Sequence, residues 1–584
     1  IVPSSSLPNG IENNTGCGNL LSKESREFVD FAKLYWGVNY IQLLPEGEHG
    51  RKTNGFRPYS GSSLDLGTQL INLEELTKQK YAKLLTESDI KKVVDSNLRP
   101  DKDIHINLEN TLDYSSSTDK TLRKAFDELL KEDTAEKKNL LSEIENYRIQ
   151  NGEWIEKKSV YKALSVKNGT RNCTHWNDIE ANLFNEEKVS KAQRDKILNE
   201  IDANPVYKKE KKFYVFKQYI AEKHLEEAKK DLNSKGIKLS GDMIVGCSND
   251  EKWMYPKAFH HKYSGFWGLN AINFDSPDGK EFFKLKVRNF AKRYDGIRVD
   301  AGWLYISQYL ENKNNPDEKI CKEYGSEILN ILENEVKSVK GENFDLNNIM
   351  YEFEADAKLF KTFAGNEVRP EIRDRLKIYK TDYMGKDWAT TEAFRRRGIY
   401  EGSYVLGVTN HDSISLKDLY NIEGKRNEQA SVLADLLKIP KNKIQTFSEF
   451  TQAKFAETIR STHNMVFFSD ALNLGESYAE SRTINDAYRL KIPSDYKEKY
   501  FKSLENGEGF NIMDSLQKAF EAEGLDKTES KLYKKICKYN KILKENEAGF
   551  SKSKVIILAV SVALTVFATA VFIYRQHIKT EQKM

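Results

Sequence analysis

The chain has 584 residues, 39% of them hydrophobic, which is enough to bury a large core. Charged residues make up 31%, but the two signs nearly cancel to +4, so nothing points to a nucleic acid as partner. Five scattered cysteines without a CxxC pair argue against a disulfide framework and against a structural zinc site, and we expect no metal.

The first half of the chain contains a charged region with helical periodicity. From about residue 74 to residue 151 it is rich in Lys, Glu and Leu, with apolar residues at helical spacing, which indicates helices with solvated charged faces. We interpret residues 74–160 as a helical insertion within a catalytic barrel domain that covers residues 1–545. Further helical stretches are predicted at about 326–340 and 514–547.

Short apolar runs, several rich in β-branched residues, alternate with helical patterns. The predicted strands are residues 38–44, 237–245, 295–300, 347–352, 403–409 and 464–468. Strands separated by helices imply βαβ units and a parallel sheet. Because no GxGxxG or GxxxxGK[ST] motif follows any strand, a nucleotide-binding open sheet has no support. We therefore predict an α/β fold of the (β/α)8 TIM barrel type.

Residues 555–574 form a run of 20 residues without a charge. As a helix this run matches the ~30 Å hydrocarbon core of a bilayer, and it predicts one C-terminal transmembrane helix between a linker (546–554) and a short tail (575–584). Ser561, Thr565 and Thr569 recur every four residues, a stripe through which two such helices could self-associate. Since no export signal is visible, we expect a single-pass membrane anchor with the barrel on the cytoplasmic side.

Four predicted strands end in, or just before, an acidic residue. These residues are Asp242, Asp300, Glu352 and Asp412, the last of them preceded by Asn410 and His411. Active sites of barrels lie at the C-terminal ends of the strands, so we expect the carboxylates to converge on one pocket. Taken singly, each one is more often a helix cap or a solvated loop residue. As a set without a cysteine or histidine cluster, they favour glycosidic chemistry over zinc chemistry.

Retaining glycosidic chemistry uses several carboxylates in different roles. One attacks the anomeric carbon, while a second, kept protonated, donates to the leaving oxygen and later deprotonates the acceptor. A third can hold sugar hydroxyls and stabilise the oxocarbenium-like charge. This chemistry requires no metal or organic cofactor, so we expect none.

Two segments resemble signatures of the α-amylase clan, namely DGIRVDAG at 295–302 and VTNHDS at 408–413. Within that clan the chain resembles the amylomaltases (4-α-glucanotransferases), over roughly residues 2–495. The collinear segments that carry this resemblance are SSSLPNG, YIQLLPEG, RPYSGSS, GIKLSGDMIV, EKWMYPKAF and NDAYRLKIP. The resemblance implies retaining transfer of α-1,4-glucan segments between malto-oligosaccharides through a covalent glycosyl-enzyme intermediate.

The same resemblance implies roles for individual residues. It makes Asp300 the nucleophile, Glu352 the general acid/base and Asp412 the transition-state stabiliser. Arg298 lies two residues before Asp300, so both side chains share a strand face, where a guanidinium could keep Asp300 ionised. The substrate-binding residues implied are Tyr59, Asp242, Trp267, Arg298, Asn410 and His411.

Three alternatives stay open at the level of sequence. Glu354 shares a strand face with Glu352 if the strand continues, and it is a rival for the acid role. An α-glucan hydrolase would use the same machinery, with water instead of a sugar as acceptor. A catalytically inactive, membrane-anchored glucan-binding protein is the third, because the residues after Asp300 and Glu352 depart from the amylomaltase pattern.

Overall fold

The structure is a computed structural model of the chain. It describes residues 1–48, 58–97, 106–112, 115–261, 269–302, 318–352, 378–381, 404–407, 416–462, 465–466, 491–506, 512–522, 534, 537–538 and 541. The strands in these ranges are β1 (Tyr40–Gln42), β2 (Lys238–Met243), β3 (Gly296–Val299), β4 (Ile349–Glu352), β5 (Ile378–Thr381), β6 (Tyr404–Gly407) and β7 (Met465–Val466).

The seven described strands form one sheet in which each strand pairs in parallel with the next along the chain. Val2 makes a further parallel bridge to Leu43, just after β1, so eight parallel segments follow one another. A doubly wound sheet reverses its strand order at a switch point, whereas this order runs in a single direction. The arrangement is that of a TIM-type barrel, as the alternation of strands and helices predicts.

Helices occupy most of the connections between the strands. The described helices are α1 (Lys23–Trp36), α2 (Glu87–Asn97), α3 (Leu108–Leu112), α4 (Ser117–Leu129), α5 (Ala135–Lys167), α6 (Asp178–Ala181), α7 (Lys191–Ala203), α8 (Pro205–Ser234), α9 (Asn249–Met254), α10 (Pro277–Arg293), α11 (Glu318–Lys340), α12 (Leu416–Asn421), α13 (Glu423–Leu437), α14 (Phe447–Thr462), α15 (Tyr496–Glu505) and α16 (Ile512–Ala522).

The long connection between β1 and β2 contains helices α2 to α8. Helical structure therefore continues past residue 160, where the sequence placed the end of the insertion, because α5 crosses that position and α8 runs to Ser234. Local sequence sets the start of α8: the Asn204 side chain accepts from two backbone N–H groups, and Pro205 occupies the first turn. Helix α8 packs against both α5 and β2, so it joins the insertion to the sheet.

The core of the barrel lies between the sheet and its helices. Leu239 and Ile297, on β2 and β3, are buried, as are Phe283 and Val287 on α10, which packs against both strands. Each fully buried side chain of this kind stabilises the fold by about 1.5–3 kcal/mol relative to exposure. These strands read as nearly continuous apolar runs because a parallel sheet is covered on both faces.

The last part of the described chain returns to its beginning. Tyr496 and Phe28 pack edge to face with their ring centroids 5.2 Å apart, which joins α15 to α1. The Ile492 backbone N–H donates to the Ser6 carbonyl at 2.8 Å, beside the segment that contains Val2. The two ends of the barrel domain are thus held together by aromatic packing and by the backbone.

Among the helices that the structure describes, none combines the length and apolar character required to cross a bilayer. The predicted transmembrane helix at 555–574 lies outside the described residues, as do the linker at 546–554 and the tail at 575–584.

Candidate active site

The register of the sheet brings three acidic residues to one guanidinium. Asp242 on β2 is the direct neighbour of Arg298 on β3, and Arg298 is the neighbour of Met350 on β4. Side chains alternate along a strand, so residues two positions further on share the same face, one layer nearer the C-terminal ends. Asp300 and Glu352 occupy those positions.

Arg298 contacts all three carboxylates. Its Nη1 donates to the two oxygens of Asp242 at 2.6 and 2.5 Å and to Oδ1 of Asp300 at 3.1 Å. Its Nη2 lies 2.5 Å from Oε1 of Glu352. Asp300 and Glu352 therefore meet at the same buried guanidinium, which holds both of them.

The charge of Arg298 depends on these neighbours. Burial lowers the pKa of its guanidinium, but the carboxylates of Asp242 and Glu352 outweigh burial and hold that pKa well above its usual value. The arginine is consequently a permanent cation among acidic groups. The three acids differ in solvent exposure: the side chain of Asp300 is 13% exposed, compared with 0% for Asp242 and 5% for Glu352.

Tyr59 joins the cluster through its hydroxyl. Its hydroxyl donates to Oδ2 of Asp242 at 2.8 Å and accepts from Nη1 of Arg298 at 3.4 Å. The ring is partly exposed, so it can offer a face to a ligand. The side chains of Asp242 and Arg298 are buried in this structure, where they contact each other and Tyr59. That these two residues bind substrate stays a prediction.

The turn after Asp300 adds a second contact to Glu352. Ala301 adopts a left-handed conformation with φ of 42°, and its backbone N–H donates to Oε2 of Glu352 at 2.8 Å. The Asp300 backbone N–H in turn donates to the Met243 carbonyl at 3.0 Å. Both oxygens of Glu352 thus have a partner: Oε1 forms an ion pair with Arg298, and Oε2 accepts from the backbone beside Asp300.

Of the nine predicted site residues, the structure brings together Tyr59, Asp242, Arg298, Asp300 and Glu352. The other four predicted residues and the rival acid lie outside the described ranges; they are Trp267, Asn410, His411, Asp412 and Glu354. Within those ranges no group of His, Cys, Asp and Glu side chains has the arrangement of a metal site.

Sequence reasoning missed two groups next to this site. The hydrogen bond from the Ala301 N–H to Glu352 requires a left-handed backbone conformation, which no sequence pattern predicts here. Glu251, whose carboxylate holds the residues that follow Tyr59, lies in a Ser-x-x-Glu capping box that begins at Ser248. That motif predicts the start of a helix, but it gives no sign of a partner almost 190 residues away.

The family model described as 4-alpha-glucanotransferase matches residues 2–336, more than half of the chain. A 4-alpha-glucanotransferase from Aquifex aeolicus (strain VF5) is 23% identical over 308 residues, which are 49% of this chain and 56% of that protein. The chain thus spans little more than half the length of this relative.

Two solved structures share the fold. An amylomaltase from Streptococcus agalactiae in complex with acarbose has a TM-score of 0.62 at 17% identity, covering 87% of this chain and 98% of that chain. An amylomaltase from Corynebacterium glutamicum has a TM-score of 0.60 at 12% identity, covering 89% of this chain and 74% of the other. The likeness confirms the predicted barrel at the level of the fold.

Proposed function

The chain belongs to the 4-alpha-glucanotransferase family, and from this premise we propose that it transfers α-1,4-glucan segments between malto-oligosaccharides. The observation that carries the proposal is the single guanidinium of Arg298, which bonds Asp300 and Glu352 at adjoining strand ends. A retaining mechanism requires two carboxylates that face one sugar. The family match includes Asp300 but ends before Glu352, whose role rests on the resemblance and on this contact.

In the first step an oxygen of Asp300 attacks the anomeric carbon of the bound glucan. The bond from that carbon to the leaving oxygen breaks, and the glycosyl group stays on Asp300 as an ester. Asp300 suits this role because it is the most exposed of the three acids. The nearby charge of Arg298 favours its ionised, nucleophilic form.

Glu352 donates a proton to the leaving oxygen in this step and takes one from the acceptor in the second step. Since one of its oxygens is ion-paired with Arg298 and the other accepts from the Ala301 N–H, one of these contacts must open before Glu352 reaches a substrate. Glu354 remains the rival for this role. We assign stabilisation of the transition state to Asp412, as the resemblance implies.

The substrate contacts follow from the same proposal. Tyr59 offers an aromatic face, and Trp267, Asn410 and His411 complete the predicted sugar-binding set. Asp242 and Arg298 act beneath them by holding Tyr59 and the two catalytic carboxylates. The Streptococcus agalactiae amylomaltase was solved with acarbose, so acarbose is a suitable probe for this pocket.

The products formed from maltotriose by the purified protein test the function. A glucanotransferase yields glucose together with oligosaccharides longer than maltotriose. A hydrolase yields glucose and maltose without elongation. If neither kind of product forms, both activities are ruled out and a glucan-binding protein remains as the candidate. Acarbose binding would then test that candidate.

We further propose a C-terminal membrane anchor. The 20 uncharged residues at 555–574 support a single membrane-spanning helix that tethers the barrel and that could self-associate through its small-residue stripe. Full-length protein should then stay with membranes after alkaline carbonate washing, while a form that lacks 555–584 should be released. The cytoplasmic location of the barrel stays a prediction, and protease protection in sealed vesicles tests it.

A further inference from the structure

Glu251 is a fully buried carboxylate on α9, the short helix after β2. Its Oε2 accepts from the backbone N–H of Ser248 at 2.7 Å and from the Ser248 hydroxyl at 3.1 Å, which closes the first turn of α9. One carboxylate oxygen thus caps the helix to which Glu251 belongs. The other oxygen accepts hydrogen bonds from a segment that is distant in sequence.

That segment follows Tyr59. Oε1 of Glu251 accepts from the backbone N–H of Ser63 at 2.7 Å and from that of Leu64 at 3.1 Å. It also accepts from the hydroxyls of Ser63 at 2.7 Å and Ser62 at 3.2 Å. Glu251 therefore fixes three consecutive residues, of which the first is only three positions after Tyr59.

These three residues belong to the base of the loop that carries Tyr59. The Ser62 N–H donates to the Glu48 carbonyl at 3.1 Å, so the chain just after Tyr59 is joined to the chain just after β1. Gly47 lies so close that a Cβ there would come within 1.8 Å of the Ser62 carbonyl oxygen. Because the base is this tight, fixing Ser62 and Ser63 also fixes where Tyr59 leaves it.

The contacts of Glu251 are suited to holding a loop in one place. Three backbone N–H groups and three hydroxyls converge on a carboxylate without access to water. Hydrogen bonds to an ionised acceptor are roughly twice as strong as neutral ones. In a buried site, a shift of the loop would leave the charge partly unsatisfied, which resists any alternative loop position.

We propose that Glu251 is a positioning residue for substrate binding, acting through Tyr59, an inference that rests on the proposed glucanotransferase function. Glu251 sets the base of the loop, the loop sets the Tyr59 hydroxyl on Asp242, and Asp242 holds Arg298. A loosened loop removes the aromatic face from the sugar. Asp300 and Glu352 lie at the ends of β3 and β4 and contact Arg298 directly, so the chemical step depends on Glu251 far less than substrate binding does.

A second tie keeps the loop folded when Glu251 is changed. Lys158 on α5 is buried and lies 3.0 Å from Oδ2 of Asp65, just beyond the Glu251 contacts, and it also bonds Asp250 on α9. A variant at Glu251 therefore keeps the base of the loop attached to the helical insertion, while Tyr59 loses its fixed position.

The variant Glu251→Gln tests the proposal with kinetics. Glutamine keeps only one acceptor oxygen, and its NH2 group is itself a donor. This NH2 group would therefore face N–H and hydroxyl donors without accepting from them. We expect the KM for maltotriose to rise about tenfold, equivalent to ~1.4 kcal/mol, with kcat changed much less. Tyr59→Phe should have a smaller effect in the Glu251→Gln background than in the wild type, because both changes act on one contact. Fully additive effects on KM would overturn the proposal.

A measurement that needs no activity separates this proposal from the proposed function. Hydrogen exchange at the amides of Ser63 and Leu64 should be faster in Glu251→Gln than in the wild type. Unchanged exchange would overturn the positioning role even in an active enzyme. The wild type could transfer no glucan while hydrogen exchange is still faster in Glu251→Gln. The proposed function would then fail, but the attachment of the loop by Glu251 would stand.

Glu180 offers a matched control. It is a second fully buried carboxylate, bonded to Lys167 at 2.6 Å and to Asn168 at 2.8 Å, away from the loop of Tyr59. Glu180→Gln should lower Tm and leave KM unchanged, and an equal rise in KM would reduce Glu251 to a general structural role. If Glu251→Gln does not fold, Ser63→Ala removes one donor alone and should raise KM in the same direction by a smaller factor.

Discussion

Ala301 donates its backbone N–H to Oε2 of Glu352 at 2.8 Å from a left-handed conformation directly after Asp300. The residue next to the proposed nucleophile therefore holds the proposed acid/base. Non-glycine residues pay about 1–2 kcal/mol in this region of backbone space. Because the conformation aims a backbone donor at a catalytic carboxylate, we interpret it as part of the site.

Removing either proposed catalytic carboxylate should abolish transfer. Asp300→Asn keeps the shape of the side chain but cannot form the ester, and Glu352→Gln cannot supply a proton. We expect each variant to lose at least about 10³-fold in kcat with maltotriose. Acarbose binding by calorimetry should persist in Asp300→Asn, which shows that the pocket remains folded. Activity in Glu352→Gln close to that of the wild type would transfer the acid role to Glu354.

Arg298 should be more important for stability than any single acid around it. Arg298→Met leaves the carboxylates of Asp242, Asp300 and Glu352 buried without their shared cation. Breaking a buried ion pair in this way costs about 3–5 kcal/mol, and urea unfolding measures that loss. The triple variant Arg298→Met, Asp242→Asn, Glu352→Gln should recover part of it. No recovery would mean that the loss comes from packing and not from charge.

His224 should make the fold sensitive to acid. Burial lowers the pKa of its imidazole to about 3, although the Glu75 carboxylate acts in the opposite direction, and Nδ1 accepts from the Asn72 N–H at 3.0 Å. In the unfolded chain the imidazole has its ordinary pKa of about 6.5, so between pH 6.5 and 3 the unfolded state binds more protons than the folded state. The stability from neutral His224 is complete above pH 6.5 and is lost as pH falls.

This linkage predicts a loss of about 2 kcal/mol from His224 alone between pH 7.5 and pH 5. His224→Gln retains an acceptor for Asn72 but does not titrate, so its unfolding free energy should fall less over the same interval. Urea unfolding at the two pH values, for wild type and variant, provides the comparison. Parallel pH dependences would show that His224 is not the source.

Gly152 should be required by its backbone conformation alone. It interrupts α5 with φ of 59° and ψ of −133°, and a Cβ there would meet nothing within 4 Å. Gly152→Ala should therefore destabilise the fold by about 1–2 kcal/mol through strain without a clash. Gly424 in α13 is the control: it has the same open space without a positive φ, so Gly424→Ala should be neutral or stabilising. Thermal unfolding of the two variants measures this difference, and equal effects on Tm would contradict a cause in the backbone conformation of Gly152.

The strands could be predicted because a parallel sheet covered on both faces requires continuous apolar runs. Each of the six predicted runs contains a strand of the structure. Strand β5 was missed, since Ile378–Thr381 has only four residues and one of them is a lysine. The bounds of the insertion at 74–160 stay a prediction, while helices continue to Ser234 and α8 packs on β2.

The site could be predicted only in part. The spacing of Arg298 and Asp300 places them on one strand face, and this much follows from sequence. The contacts of Arg298 with Asp242 and Glu352 depend on the register between strands, which no local pattern encodes. The hydrogen bond from the Ala301 N–H to Glu352 depends on one backbone angle. The contact of Glu251 with Ser63 depends on tertiary packing between segments that are distant in sequence.

Trapping of the glycosyl-enzyme tests the central claim most directly. Glu352→Gln treated with α-maltotriosyl fluoride should form the ester, because fluoride leaves without acid help, and should then release the sugar slowly for lack of a base. Peptide mass spectrometry should find the maltotriosyl group on Asp300. An enzyme that turns over the fluoride with no adduct, or with the sugar on a different residue, would contradict the account.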